Sequence, residues 1–132
     1  MDKKGTLQSR LRKICAEIDE IKNEEKKELS KIEEKTRRVN SFRRDLANML
    51  EQKYQASVQE LKNNEDQVVD YEKISQLFQL YYEANDEKFY RTLNSLDRES
   101  EKIQLEYNIK LRKKSEEMED LQIEIHRLED EG

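Results

Sequence analysis

Apolar residues recur along the first half of the chain in alternating steps of three and four. One series is Leu7, Ile14, Ile21, Glu28, Lys35, Phe42 and Met49; the other is Leu11, Ile18, Glu25, Ile32, Val39 and Leu46. On a helix both series fall on one narrow stripe, the seam of a coiled coil. The seam is polar at Glu25, Glu28 and Lys35, and Leu29 compensates from the flank. After Met49 the pattern slips by one residue and restarts as Leu50, Tyr54, Val58 and Leu61. Such a slip changes the local winding of a supercoil without ending the helix. Gly5-Thr6 precedes the first periodic residue, so Thr6 is the expected N-cap.

The second half carries a matching seam: Val68, Tyr71, Ile74, Phe78, Tyr82, Phe89, Leu96, Ile103, Tyr107, Leu111, Met118, Leu121, Ile125 and Leu128. Between the halves lies a polar break, Lys62-Asn63-Asn64-Glu65-Asp66-Gln67. Asn and Asp side chains compete with the helical backbone for hydrogen bonds and accept left-handed conformations, so the chain is expected to fold back here. The predicted fold is all-α: a long antiparallel helical hairpin of coiled-coil type, with dimerisation of hairpins as an option. It is read as a single coiled-coil domain over 1–132, with a first arm at about 6–62, a turn at about 63–66 and a second arm at about 67–130. The alternatives are an extended coiled-coil dimer and a three-helix bundle. The bundle would use weaker breaks at Ala84-Asn85-Asp86 and Asn94-Ser95.

A hairpin centred near Asn64 sets residues equidistant from that point side by side. Tyr54 then meets Ile74, Leu50 meets Phe78, Leu46 meets Tyr82, Ile21 meets Tyr107 and Leu11 meets Met118. Charge agrees with this register. Lys110, Arg112, Lys113 and Lys114 fall opposite Glu17, Asp19 and Glu20, and Arg43 and Arg44 fall near Asp86 and Glu83. Flanking charges of this kind select orientation, here antiparallel over parallel.

Composition separates an ordered helix from a disordered chain. With 43% of residues charged and only 33% hydrophobic, disorder is the competing reading. Against it, the two signs are interspersed to leave a net charge of −5, Pro is absent, and the apolar residues are regularly spaced. The mild acidity argues against nucleic acid as the main partner. The charged start, Met1-Asp2-Lys3-Lys4-Gly5, leads into no apolar segment, and no apolar run reaches the length of a membrane span. An intracellular, soluble protein, cytoplasmic or nuclear, is expected, and a membrane partner is not. The lone Cys15 suits a reducing compartment.

Chemistry is sparse. His126 is the only histidine and stands among Glu124, Glu129, Asp130 and Glu131, a poor transition-metal site without a second imidazole or thiol. Cys15 follows Ile14 at the edge of the seam with no histidine near it, and reads as a small buried or half-buried residue. No phosphate loop, zinc-protease, calcium-loop or paired-cysteine motif occurs. No enzymatic activity, cofactor or metal is therefore expected.

Two segments stand out as surfaces. Leu77, Leu80, Tyr81, Tyr90 and Leu93 lie off the predicted seam and thicken the apolar surface over 77–93, a candidate for binding a protein partner or a second copy. Lys35, Arg37, Arg38, Arg43 and Arg44 form the densest basic segment, a candidate for anionic groups. The leading functional expectation is a structural or adaptor coiled-coil subunit that assembles or tethers partner proteins through helix–helix contacts. The alternatives are a stalk or chaperone-like component of a larger machine such as a secretion apparatus, and a rod binding anionic lipid or nucleic acid through residues 35–44.

Overall fold

A computed structural model describes residues 2–63 and 71–131, and these form two long helices packed antiparallel as a helical hairpin. Helix α1 spans Lys3–Lys62 and helix α2 spans Tyr71–Glu131. With no proline anywhere, nothing in either run denies the backbone its bonds. Helix α2 continues through both Ala84-Asn85-Asp86 and Asn94-Ser95, so neither the three-helix bundle nor the extended dimer is the arrangement adopted. Asn63 is a turn residue whose amide donates to the Gln59 carbonyl at 3.2 Å. The rest of the predicted turn, and the seam residue Val68, lie outside the described residues.

Thr6 is not the N-cap. The cap is Asp2, whose Oδ1 accepts from the Lys4 amide at 3.1 Å while its carbonyl accepts from the Thr6 amide at 3.1 Å. A carboxylate two residues before an orphan amide satisfies it and meets the positive end of the helix dipole, a better cap than a hydroxyl one turn later. Gly5 and Thr6 are carried inside the first turn.

The seam of α1 departs from its predicted course much earlier than Met49. Leu7, Leu11, Ile14, Ile18 and Ile21 are buried or half-buried as expected, but the stripe then passes from Glu25 to Leu29 instead of Glu28. Beyond that point Thr36 stands in for Lys35 and Leu50 for Met49, leaving Phe42 61% and Met49 43% exposed. The physical reason lies in two charges. Keeping the seven-residue series would press Glu28 and Lys35 between the helices, whereas from the edge of the contact Glu28 accepts a hydrogen bond from Tyr107. Rotating the contact by one residue replaces them with Leu29 and Thr36, and exposed Phe and Met cost less than buried charge.

The chain divides into two compact units, Met1–Ile32 with Arg98–Gly132 (unit 1) and Glu33–Asp97 (unit 2). In unit 1 the buried and half-buried residues repeat mainly at seven, as in Leu111, Met118 and Ile125 or Lys114, Leu121 and Leu128. Leu7, Ile32, Tyr107 and Ile125, the buried residues of the described chain, all belong to it. The helices are tied by Lys4 to Glu129 at 3.1 Å and by Lys114 to Glu17 at 2.6 Å.

In unit 2 the seven-residue spacing (Ala47, Tyr54 and Leu61; Tyr82, Phe89 and Leu96) is joined by a second spacing of eleven. It shows as Val39, Leu50 and Leu61 or Thr36, Ala47 and Val58 in α1, and as Ile74, Asn85 and Leu96 or Phe78 and Phe89 in α2. Eleven residues complete close to three natural helical turns, so this pattern does not demand the left-handed supercoil that a seven-residue repeat imposes. Ring edges join the helices here: Tyr54 against Phe78 at 5.3 Å and Phe42 against Phe89 at 5.9 Å between centroids.

The side-chain contacts sit slightly later than the predicted pairing. Tyr54 meets Phe78 one turn beyond Ile74, and Met118 Sδ lies 3.9 Å from Cys15 Sγ, one turn beyond Leu11. Helical side chains lean toward their own N-terminus, so in an antiparallel pair the tips meet about one residue later on each helix than the backbones do.

Candidate docking surface

Each helix of unit 2 has two flanks beside its stripe: residues just before a stripe position and residues just after it. At about 100° per residue these flanks lie on opposite sides. Reversing one helix brings like flanks together, and the contacts agree. Arg43 Nε donates to Asp86, just after Asn85, at 3.1 Å. Tyr82 Oη donates to the Ala47 carbonyl at 3.3 Å and to Glu51, just after Leu50, at 3.5 Å. The following side is therefore bridged from helix to helix by polar groups.

The preceding side differs. It carries Phe42 and Met49 from α1 with Leu77 and Tyr81 from α2, all exposed. Neither Phe42 nor Met49 was assigned to a surface by sequence pattern, since both fit the seven-residue seam. The signal that separates them from it is the pair Glu28 and Lys35 in the same series, with Leu29 one place away.

The predicted apolar cluster is thus redistributed. Leu77 and Tyr81 share the preceding side, and Leu80 faces away from the stripe at 63% exposure. Tyr90, just after Phe89, stands on the following side, while Leu93 is half-buried in the stripe itself. The five basic residues also separate. Lys35 and Arg38 belong to the preceding side, Arg37 and Arg44 to the following side, and Arg43 is engaged by Asp86. Glu33 holds Arg37 at 3.8 Å and Glu34 holds Arg38 at 2.6 Å. These five side chains do not make one cationic face.

Electrostatic tuning is modest. The hydrogen bond from Lys114 holds the Glu17 carboxyl below its ordinary value, against a smaller desolvation, and the same bond raises the Lys114 ammonium. Desolvation raises the Tyr82 phenol, with the Glu51 carboxylate adding to it. Desolvation likewise raises Tyr107, helped by Glu28. These groups close helix–helix contacts. In unit 1 an open groove runs past Arg10, Lys13 and Glu17 of α1 and Lys114, Glu117 and Asp120 of α2, charges of both signs.

Cys15 is exposed rather than buried or half-buried: it lies just after Ile14, on the flank of the stripe. His126 is exposed, with Nδ1 at 3.6 Å from Glu129. Among the described residues no group of three or more His, Cys, Asp or Glu converges as a metal site, and no helix is long and apolar enough to cross a membrane. Comparison with known proteins finds no matching family model, no matching curated protein and no matching solved structure.

Proposed function

We propose that this chain is a non-enzymatic structural or adaptor subunit that assembles or tethers partner proteins through helix–helix contacts, with unit 2 as its docking region. One observation carries this reading: unit 2 has a side on which Phe42, Met49, Leu77 and Tyr81 are exposed together, while its other side is bridged by polar contacts. Exposed apolar residues scattered singly are ordinary, but four gathered on one side of a two-helix unit form a surface that a third helix would cover. Large flexible and aromatic side chains also suit a contact core.

The test is site-specific photo-cross-linking in cells. A photoreactive residue replaces Tyr81 or Phe42 on the apolar side, or Gln55 or Gln79 on the polar side. Discrete protein adducts are expected from Tyr81 and Phe42 and not from Gln55 or Gln79. Equal labelling from all four positions, or none from Tyr81 and Phe42, refutes the reading.

A further inference from the structure

The apolar side of unit 2 is bracketed by basic residues, and this narrows what covers it. Apart from its apolar members, the preceding side presents Lys35, Arg38, Lys53 and Lys88, against two acids, Asp45 between Phe42 and Met49 and Glu60 near the end of α1. Arg38 is neutralised by Glu34. Lys35, Lys53 and Lys88 have no carboxylate within ion-pair distance among the described residues.

Their placement follows from the contacts. Tyr54 packs on Phe78, so Lys53 stands at the level of Leu77. Phe42 packs on Phe89, so Lys88 stands at the level of Phe42. Lys35 lies two turns further along α1. The apolar residues are thus bracketed by ammonium groups at both ends. From Lys35 to Lys53 the surface extends about 27 Å at 1.5 Å per residue, a length that a helix of about 18 residues matches.

We infer that the occupant of this surface is an acidic amphipathic helix from another protein, its apolar stripe on Phe42, Met49, Leu77 and Tyr81 and its flanking carboxylates on Lys35, Lys53 and Lys88. A second copy of the chain fits poorly. A two-fold pairing would set this surface against itself, with lysines facing lysines at both ends. The inference rests on the docking reading given above and adds the chemistry of the partner.

The experiment uses the full chain and three fluorescent peptides of about 20 residues, long enough to form a helix on binding. All share one leucine stripe and differ only in flanking residues: Glu, Gln or Lys. At low ionic strength the Glu peptide is expected to bind about tenfold or more tighter than the Lys peptide, and the gap is expected to shrink as salt rises. In a chain carrying Lys53→Glu and Lys88→Glu, with unchanged helical circular dichroism, the preference is expected to reverse. A Lys peptide that binds as well as the Glu peptide overturns the inference, as does a preference untouched by the double reversal. A doubled mass in light scattering that Tyr81→Glu abolishes overturns it in favour of a second copy. If no peptide binds while Tyr81 still forms adducts in cells, the acidic helix is wrong and the docking reading stands. Loss of those adducts as well removes both.

Discussion

In unit 1 the helices bring Leu7, Ile32, Tyr107 and Ile125 down to between 5% and 9% exposure. In unit 2 no described residue is buried, and Phe42, Leu80 and Tyr90 remain above 60% exposed. Seven of the ten exposed large hydrophobic residues belong to unit 2, among them Met49, Tyr71, Leu77 and Tyr81; Leu105, Ile109 and Ile123 belong to unit 1. The two units use the same pair of helices and the same antiparallel pairing, so the contrast comes from the spacing and size of the residues. In unit 1 mainly aliphatic side chains return to the contact at seven-residue intervals, and Tyr107 is buried with them. In unit 2 ring edges, Tyr54 on Phe78 and Phe42 on Phe89, join the helices and leave apolar surface beside the stripe. Unit 1 closes on itself, and in the proposed reading unit 2 is completed by a partner.

The sharpest way to break this contrast is to empty each contact in turn. Ile32→Ala in unit 1 is expected to cost about 3 kcal/mol, within the range for buried Ile→Ala. Leu50→Ala, only half-buried in unit 2, is expected to cost about half as much. Chemical denaturation measures both. Equal costs would erase the distinction.

A smaller effect is expected from the exposed side of unit 2. Leu77→Glu with Tyr81→Glu is expected to change the stability of the free chain by no more than about 0.5 kcal/mol each, because neither residue is packed. The same pair is expected to abolish cross-linking from position 42. A large loss of stability would mean that these residues belong to the fold and not to a docking surface.

The smallest effect concerns the half-buried ion pair of unit 1, Glu17 with Lys114. Glu17 titrates below its ordinary value of 4.5 in the folded chain, so its contribution is present above that value and fades as pH falls through the folded one. Lys114 titrates above 10.5, so its contribution is present below that value and fades in strong base. Replacing Lys114 by Gln is expected to flatten the acid limb of melting temperature against pH slightly and leave neutral stability nearly unchanged. An unchanged acid limb would show that the contact contributes nothing in solution.

The hairpin was legible in sequence because two long periodic runs without proline flank a polar break, and because charges such as Arg43 and Asp86 match only in the antiparallel sense. The seam itself was less legible. Phe42 and Met49 continue a seven-residue series that begins at Leu7, and apolar spacing alone keeps them inside. What expels them is the cost of Glu28 and Lys35 in that series, weighed against Leu29 and Thr36 one place on. In α2, Leu93 lies in the stripe, Leu77 and Tyr81 flank it on one side and Tyr90 on the other, so a cluster that is contiguous in sequence is not one surface. Asp2 was missed as the cap because the first apolar residue, Leu7, lies more than a turn beyond it.

Residue-resolved amide hydrogen exchange on the free chain tests the central contrast most directly, since protection reports the local free energy of opening. The account predicts that amides around Tyr107 to Ile125 and around Leu7 to Ile32 are protected about tenfold or more above those around Leu77 to Phe89 and Val39 to Leu50, a difference of about 1.4 kcal/mol or more in opening free energy. Uniform protection along both helices, or stronger protection in unit 2, would contradict it.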